Sequence, residues 1–238
     1  GYRIVGFLQL GIALILLCTL PVWRVNGEAS VAEGKSIGLF RALQIRGVPF
    51  LLLGFFAYCA AEATTMQWAS TYFSQVKHMP AEQAARLASL FYIGITVGRF
   101  LSGFITDRLG DRNMIRLGTG ILLCGVLLLL IPTDRILIAQ IGFIIIGFGC
   151  APIYPCIIHS TPSNFSEENS GAIIGIQMAS AYVGSTFIPP LFGFLGGVLG
   201  YRVMPIYILL FFVLMICMTE ITFRITDENR KSPAHREK

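Results

Sequence analysis

Long apolar runs without a charged side chain are the feature that most constrains this sequence. Ile121–Ile131 and Ile206–Met218 contain no charged residue, and neither alternates apolar with polar positions. Strands of a membrane β-barrel do alternate in this way, so a barrel is excluded. Soluble domains carry about 25% charged residues, whereas this chain carries 13% and is 55% hydrophobic. We therefore predict an all-α, polytopic membrane protein embedded in a lipid bilayer.

The positions of the membrane helices follow from the bilayer, whose hydrocarbon core takes about 20 helical residues to cross. This rule predicts seven transmembrane helices, at residues 3–23, 46–70, 84–106, 115–132, 135–160, 170–196 and 202–224. Several prolines lie within these spans or at their ends. Membrane helices tolerate them because neighbouring helices satisfy the freed backbone groups.

The basic residues predict the orientation of the chain. Of the 18 Lys and Arg residues, 12 follow the first, third and seventh predicted spans, five lie on the opposite side, and Arg99 lies within the third span. Since Lys and Arg are enriched in cytoplasmic loops, the N-terminus is predicted outside and the C-terminus in the cytoplasm. We expect a multi-pass protein of the cell membrane, such as a bacterial inner membrane.

Several classes of partner and cofactor are not predicted. The basic residues lie in short gaps between apolar spans and form no single patch, so no nucleic acid partner is expected. The six cysteines all fall inside apolar spans, without Cys-x-x-Cys or Cys/His spacing, so we predict no metal site and no structural disulfide. No motif indicates a cofactor.

An internal likeness relates two parts of the chain. The third predicted span contains Val97-Gly98 and is followed by Leu109-Gly110, and the sixth contains Val183-Gly184 and is followed by Leu199-Gly200. This pattern predicts two triplets of helices with opposite orientation, an arrangement found in transporters.

The run from Gly98 to Arg112 is the most specific motif in the sequence. It resembles the signature loop of the major facilitator superfamily, with Asp111 standing where that family usually has a basic residue. Two further stretches, Glu62 with Trp68 and Tyr72, and Ile153-Tyr154-Pro155, are similar to the fucose–proton symporter and sugar permease branch. By this resemblance the gating loop comprises Gly98, Arg99, Gly103, Asp107, Arg108, Gly110 and Arg112.

The resemblance also implies a division of the chain. Residues 1–23 would be helix 6 of a full-length protein, residues 24–45 its central cytoplasmic loop, residues 46–225 its C-terminal six-helix bundle, and residues 226–238 a cytoplasmic tail. The bundle would be a 3+3 inverted repeat. The chain begins with Gly rather than Met, and we expect the N-terminal helix bundle of the same protein to be its partner.

The signature loop has a physical rationale as a gate. Gly98 and Ser102 are four residues apart, which permits close approach of another helix. The carboxylate of Asp107 can cap a neighbouring helix N-terminus, where an anion is favoured by about 0.3–1 kcal/mol. The alternative is that the charges after Asp107 only satisfy the positive-inside rule.

Glu62 is the leading candidate for a transport site, because charged residues in the middle of membrane helices are usually functional. The predicted substrate-binding residues share its helical face, flank that face or lie in later spans; they are Tyr58, Glu62, Thr65, Gln67, Trp68, Tyr72, Tyr154 and Gln177. Tyr154 precedes Pro155, where we expect the helix to be broken. Glu62 and His159 are candidates for proton coupling.

Alternatives remain open for several of these residues. Glu62 could be a structural carboxylic acid bonded inside the bundle, and Trp68 an interfacial anchor. Gln177 could form a helix–helix hydrogen bond, and His159 could be a histidine at the membrane interface.

These features predict a secondary active transporter that moves a small polar organic solute, such as a sugar, by alternating access, with proton coupling as an option. The alternative is a seven-helix receptor, which has the same number of transmembrane helices as predicted here. A membrane enzyme is not predicted, because no Ser/His/Asp, HExxH or paired-carboxylate arrangement is present.

Overall fold

The computed structural model describes residues 2–19 and 39–231, and all regular structure within these ranges is helical. Within the described residues, one short 3₁₀ turn, Tyr201–Val203, accompanies nine α-helices. The α-helices are α1 (Tyr2–Thr19), α2 (Leu39–Gln44), α3 (Val48–Gln75), α4 (Ala81–Leu109), α5 (Asp111–Leu130), α6 (Ile136–Cys150), α7 (Ile153–Phe165), α8 (Glu167–Leu199) and α9 (Met204–Lys231).

The predicted fold class is confirmed. Six segments of the described chain are long and apolar enough to cross a membrane, with α6 and α7 together forming one of them. The chain divides into two compact units, and α1 is the described helix of the first. Its apolar part, Ile4–Thr19, is shorter than the other spans, and residues 20–23 of the predicted first span lie outside the described residues.

The fifth predicted span is broken earlier than expected. We predicted the break at Pro155, but α6 ends at Cys150 and α7 begins at Ile153. Pro152 lacks the backbone N–H that would bond to the carbonyl of residue 148, so the helical ladder is already interrupted there. Pro155 then follows inside the first turn of α7, where a missing N–H is tolerated.

Two other boundaries differ from the sequence prediction. The last helix continues to Lys231, beyond the predicted end of the span at residue 224. The stretch assigned to a loop at residues 24–45 contains the short helix α2 within its described part.

The six spanning segments pack in a reciprocal pattern. Helix α3, the first of one triplet, packs mainly on α8 and α9 of the other triplet. Helix α6, the first of the second triplet, packs on α4 and α5 of the first. Each triplet therefore places its leading helix against the other two helices of its counterpart, as a twofold repeat requires.

Glycines let α6 approach its two neighbours at backbone distance. A Cβ atom built on Gly147 would lie 2.2 Å from the carbonyl oxygen of Phe91 in α4. On another face of α6, a Cβ atom on Gly149 would lie 2.4 Å from the backbone nitrogen of Leu122 in α5. No side chain fits at either position, so small residues set the spacing of α4, α5 and α6.

The turn after the second helix of each triplet depends on glycine. Gly110 connects α4 to α5 with φ 75° and ψ 158°, and Gly200 follows α8 with φ 88° and ψ 145°. This region of backbone space is essentially accessible to glycine alone. The two equivalent positions thus reproduce in backbone geometry the likeness seen in the sequence.

A Gly149→Ala substitution should destabilise the bundle, because the new methyl group collides with the backbone of α5. We expect a loss of about 1–3 kcal/mol, typical of overpacking, measured as a lower midpoint of thermal unfolding in detergent. Gly175→Ala is the matched control, since a Cβ atom at Gly175 meets nothing within 4 Å. Equal midpoints for the two variants would contradict the close packing of α5 and α6.

Candidate functional site

The hydroxyl of Tyr58 connects two elements of the bundle. Tyr58 is fully buried in α3, and its oxygen lies 2.9 Å from Oε1 of Glu62 one turn later. The same oxygen lies 2.9 Å from the backbone carbonyl oxygen of Cys150. Glu62 is half-buried in the middle of α3. The predicted carboxylate is therefore held beside the broken segment between α6 and α7.

The first turn of α7 adds an aromatic side chain to this region. The ring of Tyr154 packs 5.0 Å from that of Phe55 in α3, and its hydroxyl contacts the sulfur of Met178 in α8 at 3.3 Å. Tyr58, Glu62 and Tyr154 thus lie around the α6–α7 junction. We refer to these three residues, with the carbonyl of Cys150, as the Glu62 cluster.

The start of the signature loop motif lies behind this cluster. A Cβ atom on Gly98 would come within 2.6 Å of the Cβ of Ala151, a residue of the break itself. The next residue, Arg99, is exposed and lies in electrostatic range of Glu62 and Tyr154. Arg99 forms no ion pair with any described residue. The motif therefore brings one cation toward the cluster.

The other predicted residues of α3 do not join the Glu62 cluster. Thr65 is buried and donates to the carbonyl of Ala61 in its own helix at 2.8 Å, and Gln67 is exposed. The indole of Trp68 donates to the carbonyl of Pro189 in α8 at 2.9 Å and stacks on Tyr201. The latter contacts place Trp68 in the packing between α3 and α8.

Tyr72 lies near the end of α3, far along the helix from Glu62. Ten residues separate the two, which corresponds to about 15 Å of helix. The Tyr72 ring packs against Phe73 and Phe143 and lines a separate cavity.

Gln177 forms a contact between α7 and α8. It is fully buried, and its Oε1 accepts a hydrogen bond from Thr161 at 3.1 Å. Its Nε2 is buried and has no hydrogen-bond partner among the described residues. This arrangement corresponds to the helix–helix hydrogen bond that we kept as the alternative for Gln177.

The basic half of the signature loop binds to α9. Arg112 donates to Oδ2 of Asp227 at 2.7 Å, and Arg116 forms two 2.7 Å hydrogen bonds with the carboxylate of Glu220. Both guanidinium groups lie over the ring of Phe223, at 4.8 and 5.9 Å from its centroid. We call these five residues the α5–α9 clamp.

The sequence analysis missed the α9 side of this clamp. Glu220 and Asp227 are seven residues apart, which places them on one helical face, with Phe223 between them. They pair with Arg112 and Arg116, two basic residues one turn apart on α5. That complementarity is visible in the sequence, but nothing local indicates that α5 and α9 are neighbours.

His159 contacts a residue of the signature loop motif and does not join the Glu62 cluster. Its Nδ1 lies 2.8 Å from Oδ2 of Asp111, and its side chain is 81% exposed. Asp111 is the residue that departs from the family pattern, and here it links the start of α5 to α7. Two groups that the sequence suggested separately are thus hydrogen-bonded to each other.

Three further loop residues face outward. Gly103 has open space where a Cβ atom would be, and Asp107 and Arg108 are exposed without an ion pair to any described residue. Among the residues that the structure describes, no group of three or more His, Cys, Asp or Glu side chains is placed to hold a metal ion.

Comparison with known families identifies the chain. A family model described as Major Facilitator Superfamily matches residues 1–139 and 51–238, which together cover the whole sequence. The chain belongs to this superfamily of transporters. Membership in the major facilitator superfamily favours the transporter over the seven-helix receptor.

Two relatives in the superfamily share about a quarter of the aligned residues with this chain. The chain is 25% identical over 147 residues to an uncharacterized transporter of Yersinia pestis, covering 61% of this chain and 38% of that protein. It is 26% identical over 219 residues to the probable nitrate/nitrite antiporter of Thermus thermophilus, covering 82% and 48%. The chain therefore spans less than half the length of these relatives.

Solved major facilitator structures share the fold. The E. coli fucose:proton symporter FucP superimposes with a TM-score of 0.71 and 16% identity, covering 90% of this chain and 54% of that one. FucP in the outward conformation gives a TM-score of 0.73 and 15% identity, covering 90% and 53%.

The α5–α9 clamp can be tested by exchanging charges. Arg112→Asp places two acids together and should lower the midpoint of thermal unfolding, and the double variant Arg112→Asp/Asp227→Arg should recover most of the loss. We expect a coupling of about 1 kcal/mol from a double-mutant cycle, because the pair is partly exposed.

The matched control is the same exchange at Glu82 and Arg86, an ion pair within α4 whose side chains are 79% and 77% exposed. Its expected coupling is about 0.2–0.5 kcal/mol, as for exposed pairs one turn apart. A coupling at Arg112 and Asp227 no larger than at this control pair would argue against the clamp.

Proposed function

We propose that the protein is a secondary active transporter in which this chain provides one of two helix bundles. Family membership supports transport as the activity, and a chain that spans less than half of its relatives leaves room for a second bundle. In this proposal the two bundles rock about a site near the middle of the membrane, and the solute is exposed to each side in turn. The signature loop would then lie at the cytoplasmic face.

The observation that carries the proposal is the position of Glu62. A charged side chain at the centre of a membrane helix costs about 2.5–3.5 kcal/mol on insertion scales. The chain places this carboxyl in the middle of α3, bonded to Tyr58 and beside a broken helix. Ionisable groups at a discontinuous helix are typical of solute and ion sites in transporters.

The hydrogen bonds of Tyr58 support a proton at Glu62. A phenol carries one hydrogen, so Tyr58 can donate either to Glu62 or to the carbonyl of Cys150, although both oxygens lie 2.9 Å away. When the carboxyl of Glu62 is protonated, it donates to Tyr58, and Tyr58 donates to Cys150. Both contacts are then hydrogen bonds. When Glu62 is ionised, Tyr58 can donate to only one of the two oxygens, and the other contact has no hydrogen.

This arrangement can couple a proton to helix movement. With Glu62 protonated, Tyr58 is free to hold the end of α6. With Glu62 ionised, the carboxylate competes for the hydrogen of Tyr58 and weakens the bond to the α6–α7 junction. We therefore propose Glu62 as the proton-coupling residue of this bundle, with Arg99, a cation without an ion pair among the described residues, in electrostatic range.

The proposed solute is a small polar organic molecule such as a sugar. The printed names of similar proteins include a glucose-6-phosphate exchanger of Bos taurus, 37% identical over 86 residues, as well as a nitrate/nitrite antiporter and a fucose:proton symporter. All of these names specify small hydrophilic solutes. In this chain, the hydroxyl of Tyr154 and the carboxyl of Glu62 can bond solute hydroxyl groups, and aromatic rings can cover apolar faces of a sugar.

Glu62→Gln should abolish proton-driven accumulation while preserving exchange. Its amide can donate to Tyr58 as a protonated carboxyl does, so the fold is retained, but it cannot release a proton. We expect at least about a hundredfold loss of accumulation, the lower end of the scale seen when a general acid or base is removed. Proteoliposomes of the full-length protein would be assayed with radiolabelled fucose, glucose 6-phosphate and nitrate, using each solute that the wild type accumulates.

The matched control is Glu82→Gln, the same change at an exposed carboxylate of α4. This variant should accumulate solute like the wild type. Unchanged accumulation by Glu62→Gln, with the wild-type dependence on pH, would refute the coupling role. Loss of both accumulation and exchange would indicate a binding role for Glu62 in place of a coupling one.

Asp107→Ala should slow transport more than it weakens equilibrium binding of the solute. This expectation follows from its position in the signature loop, exposed and without an ion pair to any described residue, where it is available to the other bundle. Glu168→Ala, at an exposed acid near the same end of the bundle, is the control. Equal losses of rate and binding affinity would count against a gating role.

A further inference from the structure

A cavity lies at the end of the bundle opposite the signature loop, apart from the Glu62 cluster. It has a volume of about 430 Å³. Three segments enclose it: the last turn of α3 with the following residues, the connection from α5 to α6, and the start of α9. None of its lining residues belongs to the signature loop or to the α5–α9 clamp.

The polar lining of this cavity carries two cations and one acid. Lys77 donates to the backbone carbonyl of Thr133, which holds its ammonium group against the connection between α5 and α6. Arg202 also lines the cavity and forms no ion pair with any described residue. Asp134 also lines the cavity and is likewise without an ion pair in the described chain. Neither cation is therefore neutralised by an ion pair with an acid of the described chain.

One further polar group points to an oxygen-rich ligand. Tyr72 is 4% exposed, lines the cavity and lies in electrostatic range of Arg202. No hydrogen bond to a described residue occupies its hydroxyl. A phenol, an ammonium and a guanidinium that surround one space are all hydrogen-bond donors, and this donor set suits a phosphate group.

Most of the remaining lining is apolar, and part of it is exposed on the surface of the bundle. Ile131 is 45% exposed and Ile206 is 52% exposed, and both line the cavity beside Leu130 and Pro205. They stand at the end of α5 and near the start of α9, where membrane helices meet the headgroup region. An amphiphile could place its charged group on the cations and its first acyl carbons along these side chains.

We propose that this cavity binds a phospholipid, with the phosphate between Lys77 and Arg202 and the acyl chains against Ile131 and Ile206. The carboxylate of Asp134 provides a partner for an ammonium group on the same headgroup. Phosphatidylethanolamine therefore fits the lining better than phosphatidylglycerol. A soluble phosphate ester would use the same cations but would leave the apolar wall uncovered.

The proposal can be tested by native mass spectrometry of the full-length protein, purified in detergent and stripped of lipid. Palmitoyl-oleoyl phosphatidylethanolamine would be titrated against the wild type and against Lys77→Gln/Arg202→Gln. Since each basic residue near a membrane surface contributes about fivefold to lipid binding, the double variant should bind about 25-fold more weakly. Undiminished binding would overturn the proposal.

Two controls separate a local effect from a general one. Arg135→Gln removes a charge at the same end of the bundle but outside the cavity lining, and it should bind the lipid like the wild type. Asp134→Asn should reduce the preference for phosphatidylethanolamine over phosphatidylglycerol without abolishing binding of either. Equal losses in the Arg135 variant would show that surface charge alone attracts the lipid and would refute a specific site.

A competition arm distinguishes a lipid from a soluble phosphate ester. Glycerol 3-phosphate contains the same phosphate without acyl chains, and at millimolar concentration it should not displace the bound lipid. Displacement that depends on Lys77 and Arg202 would reassign the cavity to soluble phosphate esters. Thermal unfolding of each variant, with the same midpoint as the wild type, establishes that the altered binding does not reflect misfolding.

Discussion

The close approach of α6 to α4 and α5 is the constraint on which the rest of the bundle depends. Gly147 and Gly149 allow backbone contact on two faces of one helix, so α6 is held between its neighbours without intervening side chains. Lipid supplies no hydrophobic drive for helices to associate, so such packing is a principal source of stability. Pro152 ends α6, and the close packing then holds the carbonyl of Cys150 within hydrogen-bond distance of Tyr58 in α3.

The same junction connects the motif to the candidate site. Gly98 begins the signature loop motif and packs against Ala151, within the break between α6 and α7. A movement of α4 would therefore displace the backbone beside the carbonyl that Tyr58 contacts. The Glu62 cluster and the signature loop are thus connected through the contact between α4 and the α6–α7 junction.

Charged residues have different roles at the two ends of the bundle. At the loop end, Arg112 and Arg116 are paired with acids of α9, and Asp111 is paired with His159. At the opposite end, Arg202 lines a cavity without an ion pair to any described residue. Paired charges brace helices against each other, whereas an unpaired cation at the membrane interface is available to a ligand.

Hydropathy and the positions of proline and glycine can be read locally. The sequence by itself therefore predicted seven spanning helices, six of which are long and apolar enough to span among the described residues, as well as the internal repeat and the motif from Gly98 to Arg112. It also singled out Glu62, because an acid in a long apolar run is evident without a structure. It misplaced the break at Pro155, since Pro152 interrupts the ladder first. Only the tertiary structure decided that Tyr58 meets Cys150, 92 residues away, and that Arg112 meets Asp227. Those contacts depend on which helices are neighbours, and that order follows from close packing between residues far apart in the chain.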